Sequence, residues 1–398
     1  MDKASFFKAT IYFSVTMLAT GMVMNVSKIA IVDGLGDPGF LGLMSSISIA
    51  VVLVSDVLLS YLADTRSRRY AAAFAAICWS AYAIAFVEIT PLIMVFAAVV
   101  HGLGTSLQNG LPGAIAMEAI PNKEMRLKWL ARMDISMLLA VLAGNGLGIL
   151  LFSYHASTLF VMTAGLMVLV AVSAPFMISK NKIQSDSKAE VGRFKGIRDT
   201  LAIVFSNRES WIAFGFSIVS KVAFMAIQTY WIVYYAVDWN FSDKSTLYPL
   251  LLVSSLVIAS QVVGNGIISL FSIEKIAKYV VPFSTLVLLL ALMFPSISLV
   301  FAGLIFVSFL IGKLCMHLSF VFFQNKIESE YRGTFSSIVS TVASLFGIAV
   351  VLGIVPALED FYLVTLAALI GATLVAYAVL SALVVGQAKE QNEEIKSE

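Results

Sequence analysis

Charged side chains are scarce in this chain. Of its 398 residues, 60% are apolar and only 13% are Asp, Glu, Lys or Arg. Soluble proteins average about 45–50% apolar and about 25% charged residues, so this chain has too few charges to coat a water-soluble fold of its size. The composition excludes a soluble globular protein and indicates a lipid bilayer as the surrounding solvent.

Cysteine and histidine are also rare. The two cysteines, Cys78 and Cys315, lie in apolar runs and form neither a metal-ligand spacing nor a disulfide framework. Three histidines leave little material for a metal site. A net charge of +2 gives no support for nucleic-acid binding, and the chain has no Walker A motif for ATP. We therefore expect no enzyme activity, no metal and no cofactor.

What the chain does contain is long apolar runs. A helix needs about 20 apolar residues to cross about 30 Å of hydrocarbon, and barrel strands would be shorter and would alternate in polarity. We therefore predict an all-α integral membrane protein with twelve transmembrane helices, numbered here as spans 1 to 12. The predicted spans are 8–32, 39–62, 70–89, 92–119, 127–152, 157–179, 209–236, 246–271, 276–295, 297–323, 333–357 and 360–386.

The basic residues predict the orientation of these spans. Almost all of the 26 Lys and Arg residues fall in alternate connections and at the two termini, whereas Lys244 lies in an opposite connection and Lys28, Lys221 and Lys313 lie inside spans. The positive-inside rule then places both termini in the cytoplasm. Short connections are typical of a bacterial inner (cytoplasmic) membrane protein, which is the location we expect.

A polar stretch divides the chain into two halves. Residues 181–208 are rich in Lys, Ser, Asp and Arg, and they predict a cytoplasmic linker that is too short for a folded domain. Arg126 and Arg332 each lie at the start of a span, about half a chain apart, in segments that resemble one another. Two related halves are the usual build of a secondary transporter. The predicted parts are a six-helix half at 1–180, the linker, a six-helix half at 209–386 and a cytoplasmic tail at 387–398.

The connection between spans 2 and 3 carries a motif. Residues 60–69 read Ser-Tyr-Leu-Ala-Asp-Thr-Arg-Ser-Arg-Arg, which resembles motif A of the major facilitator superfamily, Gly-x-x-x-Asp-(Arg/Lys)-x-Gly-(Arg/Lys)-(Arg/Lys). Asp64, Arg68 and Arg69 match the motif, while serines replace both glycines and Thr65 replaces the first basic residue. With the twelve spans and the two halves, the resemblance covers essentially the whole chain and implies the fold of that superfamily.

The resemblance also implies a cytoplasmic gate. In the superfamily fold the carboxylate of motif A faces the start of span 11, where the helix dipole contributes about 0.3–1 kcal/mol. Such a network would hold the cytoplasmic ends together and favour the outward-open state. Anchoring by the positive-inside rule alone is the alternative for the basic residues. The residues assigned to the gate are Asp64, Arg68, Arg69, Glu118, Arg126 and Arg332.

Two more segments resemble exporters of the superfamily. Residues 144–148 (Gly-Asn-Gly-Leu-Gly) fall where drug–proton antiporters carry motif C, Gly-Pro-x-x-Gly, with Asn145 in place of proline. We expect these glycines to allow close helix packing. Residues 323–336 are similar to the connection between spans 10 and 11 of macrolide-type and siderophore-type exporters. Ala98 stands where motif B carries an arginine, so coupling through that arginine is excluded.

Polar residues inside the predicted spans are the candidate binding residues. A charge at the centre of a bilayer costs about 2.5–3.5 kcal/mol on insertion scales, which makes each one a candidate for function. In the fold that the resemblance implies, spans 1, 4, 7 and 10 line a central cavity, and the unusual residues concentrate there. The candidate substrate-binding residues are Lys221, Lys313, His317, His101, Gln108, Asn25, Tyr230 and Tyr234.

These residues predict a cationic, hydrogen-bonding cavity that suits a carboxylate or phosphate. The alternative for the two lysines in spans 7 and 10 is an internal salt bridge with Asp56 or Asp134. The two histidines would otherwise be hydrogen-bonded core residues, and the two tyrosines would belong to an interfacial aromatic belt. Lys28 would extend toward Asp33 or Asp37 at the membrane surface.

Asp134 and Asp56 are the candidate proton-coupling residues. Asp134 lies eight residues after Arg126 in span 5, and some multidrug–proton antiporters of the superfamily carry an acidic residue at a similar place. The resemblance therefore implies that Asp134 binds a proton, and Asp56 in span 2 receives the same assignment. Pairing of Asp134 with Arg132 or Lys128 in the gate is the alternative.

The sequence as a whole predicts a secondary active exporter. It would move an amphipathic organic compound, such as a drug or siderophore, against proton entry by alternating access of its two halves. An importer or exchanger of a small organic anion is the alternative. The expected partners are a small-molecule substrate, protons and the lipid bilayer, with no nucleic acid, and the expected state is a monomer.

Overall fold

The structure is a computed structural model, and all regular structure in its described ranges is helical. It describes residues 3–37, 39–65, 67–108, 111–112, 123–178, 247–270 and 332–349, together with isolated positions between 202 and 314.

Span 1 consists of two helices. Helix α1 runs over Lys3–Met24 and helix α2 over Val26–Leu35, with a turn at Asn25 between them. The Asn25 carbonyl accepts the backbone N–H of Lys28 at 3.2 Å. Asparagine competes with backbone hydrogen bonding and favours such breaks. Helix α2 ends at Gly36, whose left-handed backbone (φ 65°) suits a residue without a Cβ.

Five further helices complete the described N-terminal part. A 3₁₀ turn at Ala85–Val87 extends the second of them, which is span 3. The helices are α3 (Gly39–Thr65), α4 (Arg68–Ile84), α5 (Pro91–Gln108), α6 (Lys123–Tyr154) and α7 (Ala156–Met177), which correspond to spans 2 to 6.

Local residues explain where three of these helices begin. At α3, the Asp37 carboxylate accepts the backbone N–H of Gly39 at 2.7 Å. At α5, Thr90 accepts the N–H of Ile93 at 3.4 Å. Pro91 occupies the first helical position, where a backbone N–H would have no partner within the helix, so proline costs no hydrogen bond there. At α7, His155 Nδ1 accepts the N–H of Thr158 at 3.4 Å. Each side chain satisfies an otherwise unpaired helix N–H.

The N-terminal helices pack in specific pairs. Helix α1 makes its largest contact with α6, α4 with α7, and α5 with both α3 and α4. The contact of α1 with α6 brings backbone against backbone, because a Cβ at Gly144 would overlap the carbonyl oxygen of Leu18 and a Cβ at Gly148 would overlap that of Met22. The expected close packing of the span 5 glycines is therefore present.

A hydrophobic core joins α1, α4, α5, α6 and α7. Its members are fully or almost fully buried, and the small side chains of α4 allow the neighbouring helices to approach closely. Large buried members from four helices are Phe13, Leu107, Met133 and Val170. The core holds the helices that carry the polar residues described below.

Five helices of the described chain are long and apolar enough to cross a membrane, by length and composition. They match predicted spans 1, 3, 4, 5 and 6, and two shorter apolar stretches match spans 2 and 8. Large apolar side chains such as Leu92, Val54 and Phe176 are strongly exposed, as expected for a lipid-facing surface.

The chain divides into two compact units by contacts, Met1–Ser185 with Thr229–Ser255, and Asp186–Gln228 with Leu256–Glu398. Helix α8 (Leu247–Leu270) corresponds to span 8, and helix α9 (Arg332–Ala349) lies in span 11. Within the second unit, Lys313 lies beside Gly264, where a Cβ would come within 3.1 Å of the lysine Cγ. The predicted linker and tail lie outside the described residues.

Candidate functional site

A polar pair joins span 1 to span 5 at the break in span 1. The side chain of Asn25 donates from Nδ2 to Oδ1 of Asn145 at 3.2 Å. Both residues are buried, with 5% and 3% of their surface exposed. Because buried amides need partners in an apolar setting, this bond fixes the position of the break against α6. Asn25, a predicted substrate-binding residue, therefore contacts a neighbouring span in this structure.

His101 of α5 lies among side chains of α3 and α4. Its Nδ1 is 2.6 Å from the Ser48 hydroxyl oxygen. The imidazole packs edge-on against Trp79, with ring centroids 4.8 Å apart, and its centroid lies 4.9 Å from that of Tyr82. These described contacts of His101 all come from the N-terminal part of the chain.

Tyr82 links this cluster to the outer piece of span 1. Its hydroxyl donates to the Ser27 hydroxyl at 3.0 Å, and Ser27 in turn donates to the Met24 carbonyl. Lys28, the next residue of α2, is half-buried and interacts electrostatically with His101. Lys28 and His101 are thus two ionisable side chains within the apolar helices, which is a costly arrangement that indicates function. We call Ser27, Lys28, Ser48, Trp79, Tyr82 and His101 the span 1–4 cluster.

Three buried polar atoms near this cluster have no hydrogen-bond partner within the described chain. They are Trp79 Nε1, Thr105 Oγ1 and Gln108 Nε2. Gly104 lies beside them, since a Cβ there would come within 3.2 Å of Trp79 Nε1. Unpaired polar atoms are expensive in a dry interior. The stretch of α5 from His101 to Gln108 therefore carries two of the buried polar atoms that lack a partner within the described chain.

The motif A segment is described only in part. Arg69 is half-buried and its Nε donates to the carbonyl oxygen of Ile178, just after α7 ends. A cation at a helix C-terminus donates to a carbonyl that has no partner within the helix, and its charge interacts favourably with the helix dipole. Arg68 begins α4 and is half-buried. The side chains of the other predicted gate residues, Asp64, Glu118, Arg126 and Arg332, lie outside what the structure describes.

The structure describes the side chain of one of the two predicted proton-coupling acids, Asp134. The side chain of Asp134 is exposed on α6, so the described helices do not enclose its carboxylate. On the same helix, the Ser136 hydroxyl shares a hydrogen bond of 2.9 Å with that of Ser14 on α1. The side chain of Asp56 lies outside the described residues. The proton-coupling role of both acids stays a prediction.

Most predicted substrate residues of the C-terminal half lie outside the described residues. These are Lys221, His317, Tyr230 and Tyr234. Lys313 is described and half-buried, next to Gly264 of α8. On the N-terminal side, Gln108 is buried and shares a helix face with His101. The structure thus brings His101 and Gln108 to one face of α5, and Asn25 to a separate contact with α6.

Sequence reasoning alone missed four residues of the span 1–4 cluster, namely Ser27, Ser48, Trp79 and Tyr82. Trp79 and Tyr82 are three residues apart, which places both rings on one face of a helix. That spacing, in a span otherwise rich in alanine, was the available signal. Ser48 carried no signal, because serines are common in membrane helices, and its role depends on a tertiary contact with His101.

Comparison with known proteins agrees with this architecture. The sequence profile described as "Major Facilitator Superfamily" matches residues 9–352. No curated protein sequence matches the chain significantly. Among solved structures, the nucleoside transporter NupG superposes with a TM-score of 0.73 at 14% identity, covering 96% of this chain and 99% of that one.

Two other solved structures are similar in fold. A D-xylose–proton symporter has a TM-score of 0.68 at 13% identity, covering 95% of this chain and 96% of its own. A bacterial homolog of the human lysosomal transporter Spinster has a TM-score of 0.61 at 11% identity, covering 96% of this chain and 95% of its own. At these identities the likeness shows a shared fold.

Proposed function

Since the chain belongs to the major facilitator superfamily, we propose that it is a proton-coupled secondary transporter that exports an amphipathic organic compound by alternating access. The protein is a multi-pass membrane transporter of small molecules and not an enzyme. The driving ion, the direction of transport and the kind of compound are the proposed parts of this function.

The observation that carries the proton coupling is the span 1–4 cluster. Lys28 and His101 are ionisable, lie inside apolar helices and interact electrostatically. Ionisable residues in membrane spans typically mark substrate or proton pathways. Asp134 and Asp56 are further candidates for the proton, supported by their positions in spans 5 and 2.

Two sequence features support export. Residues 144–148 resemble motif C of antiporters, and residues 323–336 resemble the corresponding segment of macrolide-type and siderophore-type exporters. An inner-membrane location with both termini in the cytoplasm is supported by the distribution of Lys and Arg. A monomer is the simplest state in which the two halves alternate.

The proposed substrate contacts come from both halves of the chain. Lys221, Lys313 and His317 would supply positive charge, and Tyr230 and Tyr234 would supply aromatic surface. Asn25, His101 and Gln108 complete the proposed set on the N-terminal side. The proposed gate on the cytoplasmic side consists of Asp64, Arg68, Arg69, Glu118, Arg126 and Arg332.

Uptake of a small polar solute is the second candidate function. Asn145 occupies the proline position of motif C and bonds to Asn25, which gives that position a packing role instead of the antiporter signature. The named functions of the solved relatives, nucleoside and xylose transport, also support uptake. A small organic anion is the solute that the lysines of spans 7 and 10 favour.

A two-stage experiment tests these alternatives. A thermal-shift screen of the purified protein against cationic dyes, siderophores, nucleosides, sugars and organic acids identifies a ligand, because binding raises the apparent stability. The ligand is then loaded into proteoliposomes with an imposed pH gradient. Flux against the proton gradient supports export by antiport, and flux with the gradient supports symport. Flux that persists unchanged after an uncoupler collapses the gradient would reject proton coupling.

A further inference from the structure

One buried face of α5 combines a histidine with unpaired polar atoms. His101, Thr105 and Gln108 follow one another at spacings of four and three residues, which places them in a row along the helix. Within the described chain, Thr105 Oγ1 and Gln108 Nε2 have no hydrogen-bond partner. Trp79 Nε1 is likewise buried and unpaired there, and it lies 3.2 Å from the Cβ position of Gly104 on the same stretch.

The spacing of these groups fits bound water. With a rise of about 1.5 Å per residue, His101 and Thr105 lie about 6 Å apart along the axis, and Thr105 and Gln108 about 4.5 Å apart. One water with two hydrogen bonds of about 2.8 Å spans such a gap. Water is bound in protein interiors where two to four polar groups surround it, and Trp79 Nε1 supplies an additional donor.

Three described side chains contact the His101 imidazole. Trp79 and Tyr82 pack against the imidazole, and Ser48 occupies Nδ1. If Nδ1–H donates to the serine oxygen, the lone pair of the neutral ring lies on Nε2. A proton carried by water can reach this lone pair without moving either aromatic ring.

A positive charge on His101 would repel the positive charge of Lys28 in span 1. Lys28 interacts electrostatically with His101, and it lies three residues beyond the break at Asn25. Of the described residues, α4 contributes Trp79 and the titratable Tyr82 against His101, α3 contributes the Ser48 hydroxyl, and α2 contributes the charge of Lys28. Charging the imidazole therefore raises the repulsion on α2, the part of span 1 beyond the break.

We propose that His101 is a proton-binding site served by a file of bound waters along Thr105 and Gln108. The proton of a hydronium ion transfers to the Nε2 lone pair, leaving water and an imidazolium ion, and release reverses the step. The predicted topology places the Gln108 end toward the cytoplasm. The proposal rests on the proton coupling proposed above, and it assigns the proton to span 4 instead of to Asp134 or Asp56.

Footprinting by water radiolysis tests for the water file in the full chain in lipid nanodiscs. Hydroxyl radicals formed at bound waters oxidise adjacent side chains, so Trp79 should be oxidised several-fold more than Met167, a fully buried residue of the dry core. The Thr105→Val, Gln108→Leu double variant should lose this difference, and Thr105→Ser, which keeps the hydroxyl, should retain it. Wild-type oxidation of Trp79 no greater than that of Met167 overturns the proposal.

Nuclear magnetic resonance of the ring tests for the proton. In a His155→Asn, His317→Gln background with ¹³C-labelled histidine, His101 gives the remaining signal, and Asn keeps the helix-capping acceptor at 155. The signal should move as the external pH is lowered, and the double variant should abolish or slow this response. A signal that stays constant in the parent protein overturns the proposal. Neither readout needs a substrate, so their failure is distinct from a failure of exporter function.

Discussion

Asn145 of α6 accepts a hydrogen bond from Asn25 at the point where span 1 breaks into two helices. On the same side of α6, Gly144 and Gly148 bring the backbones of the two spans together. Spans 1 and 5 are thus joined by a close packing contact and by a buried polar bond. This combination replaces the proline-containing motif that antiporters carry at the same position.

Removing the amide pair should reveal a coupling between the two asparagines. Asn25→Ala and Asn145→Ala each remove the hydrogen bond between the two buried amides, so each should lower the unfolding temperature. The double variant should lose less free energy of unfolding than the two single variants lose together, and the difference should be about 0.6–2 kcal/mol. Reversible unfolding in mixed micelles measures the cycle. Strict additivity would show that the bond contributes nothing to stability.

Adding a methyl group at Gly148 should destabilise the contact of α1 with α6. A Cβ there would overlap the Met22 carbonyl, and overpacking costs about 1–3 kcal/mol. Gly165→Ala on α7 is the matched control, because a Cβ at that position meets no atom within 4 Å. Thermal unfolding in detergent should show a lower midpoint for Gly148→Ala and an equal or higher one for the control. Equal midpoints would refute the close backbone contact.

The motif A arginine should act through a specific bond as well as through its charge. Arg69→Gln removes the donor to the Ile178 carbonyl, and hydrogen bonds to charged groups contribute about 1.5–3 kcal/mol. We expect a lower unfolding midpoint for Arg69→Gln. Lys8→Gln removes an exposed positive charge from the same predicted side and should change the midpoint little. Similar losses in both variants would indicate that charge alone matters at Arg69.

Two serines of α3 should respond oppositely to substitution. Ser48→Ala removes the 2.6 Å partner of His101, and leaving a buried ring nitrogen unpaired costs about 1–3 kcal/mol. The Ser46 hydroxyl is buried without a partner in the described chain, so Ser46→Ala should be neutral or stabilising. Unfolding midpoints measured side by side check the pair. The bond to His101 would be in doubt if Ser48→Ala were as stable as Ser46→Ala.

The all-α membrane fold followed from the sequence because its signals are local. Long apolar runs predicted the spans, and α3, α5 and α8 lie within or close to the predicted ranges. The superfamily fold expected from residues 60–69 is confirmed by the match over residues 9–352. The break at Asn25 escaped prediction because apolar residues continue on both sides of it.

The candidate site was harder to predict because it depends on contacts between spans. His101 and Gln108 stood out as polar residues in an apolar run, yet the environment of His101 depends on Trp79, Tyr82 and Ser48 from two other helices. Periodicity indicates which residues share a helix face, but it does not indicate which helix lies opposite. The assignments to Lys221, His317, Tyr230 and Tyr234 remain predictions.

Proton release on ligand binding tests the central claim most directly. In an antiporter the exported compound and the proton bind the transporter alternately, so binding of one favours release of the other. Adding the ligand to purified protein in weakly buffered solution should therefore release protons. The account predicts release from the parent protein and reduced release per bound ligand from His101→Gln. No proton change, or proton uptake on binding, would contradict proton-coupled export.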